Sequence, residues 1–211
     1  MRRGFSIVEV MVAAGLFLIL MTLAWGGFSV LNRGGQGLRA SSEPRQQLRV
    51  LLANLQNDLR MASYIYPADT YTILGQNLTT PAPGAAAQAL VFAVPENSTP
   101  PLTYKVCTIF ARPRQPADSN NPNAYEVVYY TVEGVDPPSS DFPSEIDPNL
   151  LPPNGSLRVF DAYLDGPNAL QLTLSDDGNA VIFHVDFKRK PVRGETQQDS
   201  LESAISMRNN R

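Results

Sequence analysis

The sequence predicts an α+β protein: a long N-terminal helix, with a membrane half and an amphipathic half, packed on a C-terminal antiparallel β-sheet with long proline-rich loops. Three observations lead there. No charged residue stands between Val10 and Asn32, leucines recur at three- and four-residue spacing from Leu48 to Leu59, and beyond Leu90 the apolar residues alternate instead. A chain of 211 residues with 43% hydrophobic content has room for one membrane helix and a single domain with its own core.

The first element is the apolar run. A helix from Val10 to Asn32, rising about 1.5 Å per residue, is long enough to cross a hydrocarbon layer of roughly 30 Å. The basic leader Met1-Arg2-Arg3-Gly4 precedes it, and positive charge before an apolar run holds that end in the cytoplasm, leaving the rest of the chain outside. Arg33 and Arg39 on the far side blunt the asymmetry.

Glu9 is the anomaly, because a carboxylate in an apolar stretch is expensive unless it is paired or lies near the interface. Cleavage between Gly4 and Phe5 would place a new amino group on Phe5, four residues from Glu9 and so one helical turn away. A carboxylate also suits the positive end of the helix dipole. Pairing between neighbouring helices would fix their axial stagger, since one register alone brings amine and carboxylate together.

Gly4-Phe5-Ser6-Ile7-Val8-Glu9-Val10-Met11-Val12-Ala13 resembles the cleavage and methylation motif of type IV prepilins. The resemblance implies cleavage after Gly4 by a prepilin peptidase, N-methylation of Phe5 and a filament contact through Glu9. It also implies a pilin-like fold, partners among other pilin or pseudopilin subunits and the inner-membrane assembly machinery, and a place in the bacterial inner membrane and a pilus or pseudopilus. The domains then read as leader 1–4, transmembrane helix 5–32, hinge and amphipathic helix 33–62, and β-rich soluble domain 63–211. Two plainer readings compete: a secretory signal cut near Ala24-Trp25-Gly26, and a simple single-pass anchor. Both leave Glu9 unexplained.

Leu48, Leu51, Leu52, Leu55, Leu59 and Ala62 form the apolar stripe of the second helical half, with Arg45, Arg49, Asn54, Gln56, Asp58 and Arg60 at the other positions. Ser42 and Glu43 before Pro44 suit a helix start, and Gly26-Gly27, Gly34-Gly35 and Gly37 predict a hinge or melted stretch before it, so that the two helical parts form one bent rod or two segments.

Strands are predicted at Leu90–Val94, Leu102–Ala111, Tyr125–Tyr129, Leu157–Leu164, Leu170–Leu174, Val181–Phe187 and Leu201–Met207. Ser175-Asp176-Asp177-Gly178-Asn179 carries turn chemistry, so the strands on either side of it form a hairpin. Proline-rich stretches at Pro95–Pro101, Pro113–Pro122 and Pro137–Pro153 read as surface loops. Leu59-Arg60-Met61-Ala62 and Ser203-Ala204-Ile205-Ser206-Met207-Arg208-Asn209 resemble minor pilins of the PilW kind and J-type pseudopilins of type II secretion. Because Glu9 is present, the subunit need not be the extreme tip component.

Composition argues against other functions. The net charge of -3, with 17 scattered Lys and Arg, gives no basic face for nucleic acid. A single cysteine, Cys107, excludes an intramolecular disulfide and reads as a buried thiol. His184, the one histidine, reads as a solvent-facing or hydrogen-bonded sheet residue, so no histidine-based metal cluster is expected. Asp176, Asp177 and Asn179 lack the spacing of a calcium loop and read as turn residues. No catalytic, cofactor-binding or metal-binding residues are expected, and no enzymatic activity. The alternative to a filament subunit is a membrane-tethered binding module that captures a ligand or DNA through its loops.

Overall fold

The computed structural model describes residues 7–117, 121–189 and 197–207, the side chains of residues 9, 30–44, 161, 162, 189 and 197 excepted. The chain divides into two compact units, Met1–Ser42 and Glu43–Arg211.

In the first unit helix α1, Ile7–Met61, begins. Val10–Ser29 is its apolar span, with none of it buried. The helical backbone continues through Gly26, Gly27, Gly34, Gly35, Gly37 and Pro44, where the sequence predicts first a hinge and then a new start. The physical reason is that each glycine weakens a helix by about 1 kcal/mol without removing a hydrogen bond. Pro44 removes one bond, and cooperative propagation carries the helix across it.

Among the described residues the second unit holds the rest of α1 and eleven strands: β1 (Tyr64–Ile65), β2 (Thr70–Ile73), β3 (Gln76–Thr79), β4 (Ala86–Ala87), β5 (Ala89–Pro95), β6 (Tyr104–Pro113), β7 (Ala124–Val135), β8 (Ser156–Asp165), β9 (Leu170–Leu174), β10 (Ala180–Arg189) and β11 (Gln197–Ser206). The main sheet has the order β1-β5-β6-β7-β8-β10-β9-β4, with β11 on the other side of β10. Every named pairing is antiparallel. All seven predicted strands are present, and β9 and β10 pair Leu174 with Val181 across the predicted turn. Gly178 has φ +68° there, and the Asp177 carboxylate accepts from Asn179 N–H at 3.1 Å and the Ser175 hydroxyl at 2.6 Å.

Gln88 alone separates β4, which pairs with β9, from β5, which pairs with β6. β4, at one end of the sheet order, and β5, next to β1 at the other end, are therefore one residue apart in the chain, and the sheet curls around the last turns of α1. Leu48, Leu51, Leu55 and Leu59, on one helical stripe, are fully buried against Leu90, Phe92, Ile109, Val127, Leu172 and Phe183.

β5 departs from the half-buried alternation the sequence suggests: Ala89 to Val94 are buried on both faces. Its second face is covered by a layer that periodicity did not reveal. The hairpin β2–β3 contributes Tyr71, Ile73 and Leu78, and the segment 141–151 contributes Ile146 and Leu151. That segment lies within the proline stretch expected to be a surface loop, yet Pro143 and Pro148 are buried in two short 3₁₀ turns. Tyrosines satisfy its carbonyls: Tyr66 Oη donates to the Pro143 carbonyl at 2.9 Å and Tyr104 Oη to that of Asp141. Backbone groups satisfied in this way allow a loop to serve as a core wall.

Candidate functional site

The functional residues the sequence singles out are Gly4, Phe5 and Glu9, near the N-terminus of the sequence. Gly4 and Phe5 fall outside the described residues. Glu9 sits in the first turns of α1, its side chain outside the description. The expected contact between the Phe5 amine and Glu9 therefore has no geometry here.

The span that follows is built to do without water. Leu16, Phe17, Leu20, Leu23 and Trp25 are exposed at between 57% and 77%, so the apolar surface runs around the helix instead of forming one stripe. Its hydroxyls bond inward: Thr22 Oγ1 donates to the carbonyls of Leu18 and Ile19, both at 2.9 Å, and Ser29 Oγ donates to that of Gly26 at 2.9 Å. Polar groups satisfied within the helix itself are what an apolar solvent demands.

The helix–sheet seam of the second unit carries a polar network that the sequence reading missed. Asp58, assigned above to the polar positions, is buried, 7% exposed. Lys105 Nζ donates to its Oδ1 at 2.6 Å, and Tyr129 Oη donates to its Oδ2. Burial pushes the Lys105 ammonium down, but the hydrogen bond to Asp58 and nearby negative charge outweigh it, and its pKa is raised overall. Burial also pushes the Tyr129 hydroxyl up, and the Cys107 thiol up to about 12, so both are neutral at physiological pH. The signal in the sequence was spacing: Asp58 lies three residues after Leu55 and one before Leu59, at the margin of the stripe. The seam has a second tie at Arg45, whose Nε donates to Asp199 Oδ2 at 2.9 Å.

On the sheet face away from the helix, Arg112 Nε donates to Glu126 Oε1 at 2.7 Å across the β6–β7 register. Cys107 is buried, as its place in a strand suggested. His184 lies one-third exposed on β10, Nε2 3.2 Å from Asp186 Oδ1 and Nδ1 3.9 Å from Glu202 Oε2. Among the described residues no cluster of three or more His, Cys, Asp or Glu is set to hold a metal ion.

With this geometry in place, comparison with known proteins adds one match. Residues 1–25 match the family described as the prokaryotic N-terminal methylation motif, the type IV pilin-like prepilin signal. No curated protein and no solved structure matches the chain. The apolar helix and this motif fit a membrane-anchored pilin-like protein, and an apolar helix followed by an antiparallel sheet is consistent with the pilin-like fold. In general terms the motif implies processing by a prepilin peptidase and contact with other pilin subunits.

Proposed function

We propose that the chain is a minor pilin or pseudopilin, a structural and non-enzymatic subunit that primes or joins a type IV pilus or the pseudopilus of type II secretion. Prepilin peptidase cuts between Gly4 and Phe5, the new amine of Phe5 is methylated, and Glu9 compensates the amine of a neighbouring subunit. The helix crosses the inner membrane with its N-terminus inside, and the β domain stands outside. The observation that supports this reading is the match over residues 1–25, which runs into an apolar helical span left exposed by its own chain. Such a surface is covered by lipid before assembly and by neighbouring helices in a filament.

Mass spectrometry of the mature N-terminus tests the processing: loss of Met1 to Gly4 and a methyl group on Phe5 are expected, whereas a start near Gly26 establishes a secretory signal. Glu9→Ala separates filament subunit from tethered module. Removing the carboxylate makes a lone helix easier to hold in lipid. In a filament it leaves a neighbour's Phe5 amine uncompensated, a loss that reaches about 3 kcal/mol per contact. Reduced recovery in sheared filaments at equal membrane level is expected, and equal recovery favours the tethered module.

A further inference from the structure

The sheet guards its edges unequally. β1 and β4 are two residues long each, and the free side of β8 passes a register shift opposite Tyr125 and Val127, near Tyr163 at φ 48°. β11 instead runs ten residues in unbroken register with β10, and it contains no proline, lysine or arginine. Proteins ordinarily blunt an exposed strand edge by shortness, bulges, proline or lysine, because its unpaired N–H and C=O groups accept another strand.

The ladder shows which groups those are. Met207 N–H donates to the Asn179 carbonyl at 2.8 Å, one step beyond the Ser206–Ala180 pair. Hydrogen-bonded and non-bonded pairs alternate in an antiparallel ladder. Asp199, Leu201, Ser203 and Ile205 therefore bond to β10, while Gln198, Ser200, Glu202, Ala204 and Ser206 turn N–H and C=O outward. Side chains of this outward set are all exposed. Asp199 Oδ1 accepts from Ser200 N–H at 3.1 Å, and among the described residues no backbone partner meets the outward N–H of Gln198, Glu202, Ala204 or Ser206.

We propose that this edge receives an extended strand of a neighbouring filament subunit, one that places lysine or arginine opposite Glu202; the proposal rests on the filament reading above. Backbone pairing supplies the affinity and side chains choose the partner. Glu202 is 68% exposed and Asp186 lies on the same face, while β11 offers no cation of its own. Antiparallel self-pairing of two β11 edges through their outward residues, Gln198 opposite Ser206, sets the two Glu202 residues directly opposite each other, a like-charge contact that disfavours it.

The test uses the full chain in detergent micelles and a synthetic ten-residue β-strand peptide of alternating threonine and valine with two lysines. Amide exchange at Glu202 and Ala204 slows on adding the peptide, while that at Ile205, already in the ladder, stays unchanged. Methylating the backbone nitrogens along the peptide's pairing edge abolishes the effect. Ala204→Pro deletes an outward N–H without touching a bond to β10 and weakens binding about tenfold, roughly one hydrogen bond's worth. Glu202→Lys leaves all backbone groups in place and shifts preference to a glutamate-bearing peptide. Absence of protection, equal protection by the methylated peptide, or protection that grows with chain concentration alone overturns the proposal. Peptide failure combined with normal, Glu9-dependent filament incorporation rejects the edge and leaves the filament reading standing.

Discussion

Val10–Ser29 and Leu48–Leu59 belong to one helix and share leucine-rich composition, but they answer to different surroundings. The first is apolar on every side, with none of the span buried; the second confines its leucines to a stripe that buries Leu48, Leu51, Leu55 and Leu59 completely and Leu52 in part. A helix with no polar face suits a medium that is apolar all round, whereas a striped helix suits a sheet on one side and water on the other. The polar groups differ in the same sense. Thr22 and Ser29 bond back to their own helix, while Asp58 reaches across to Lys105 and Tyr129 on the sheet. Secondary structure is thus set alike in both halves, and the distribution of side chains decides what each half packs against.

The strongest way to break this comparison is a matched pair of substitutions. Leu55→Asp forces an unpaired carboxylate into the fully buried seam and is expected to destabilise the second unit by about 4 kcal/mol or more. Leu18→Asp puts the same group on the exposed span and is expected to leave the melting of the β domain unchanged while impairing membrane insertion. Near-UV circular dichroism of the detergent-solubilised full chain reads the first effect, and carbonate extraction of membranes reads the second. Equal melting of the two variants would show that the leucine stripe does not hold the domain together.

Asp58→Ala ranks next. It leaves the Lys105 ammonium without its partner and the Tyr129 hydroxyl without an acceptor, for an expected loss of about 2–3 kcal/mol, since breaking a buried pair costs more than the pair is worth. The Lys105 side chain is 22% exposed, which keeps the figure below that of a fully enclosed pair. Adding Lys105→Met to Asp58→Ala is expected to recover part of the loss in a denaturant titration. A double variant no better than the single one would show that the ion pair is not the source of the effect.

What the sequence made legible follows the same division. Period 3.6 marked Leu48 to Leu59 and period 2 marked strands such as β9 and β10, because those residues bury one face against a continuous core. The methylation motif was readable because its residues act through local spacing. Whether the helix runs on from Gly26 to Pro44 or breaks there stayed open in the sequence, since propensity ranks residues but does not register the cooperativity that carries a helix over weak positions. The second sheet face was hidden for another reason. Its cover comes from the hairpin at Tyr71, Ile73 and Leu78, too short to show a period, and from a proline segment whose carbonyls are satisfied by distant tyrosines. Asp58 and Glu126 were misjudged or passed over because a lone charge discloses its burial only through a partner, and Lys105 and Arg112 lie 47 and 14 residues away. The bare edge of β11 is likewise a property of pairing, invisible until the neighbours of β10 are known.

The smallest expected effect comes from the other end of the docked stretch, where Arg45 meets Asp199. Arg45 Nε and Nη2 both donate to Asp199 Oδ2, but the Arg45 side chain is 56% exposed and that of Asp199 34%. Water and salt therefore screen the attraction, and two side chains must be held still to realise it. Arg45→Ala is expected to lower stability by at most about 1 kcal/mol, and the difference from wild type is expected to vanish near 1 M salt, where the screening length falls to about 3 Å. The loss from Asp58→Ala is expected to persist at that salt concentration, because its partners are shielded by the sheet and not by ions. Parallel denaturant titrations of the two variants at low and high salt make the contrast direct. A salt-insensitive Arg45→Ala would mean that its aliphatic stem, packed along the seam, matters more than its charge, and the rim of the helix would then belong with its core.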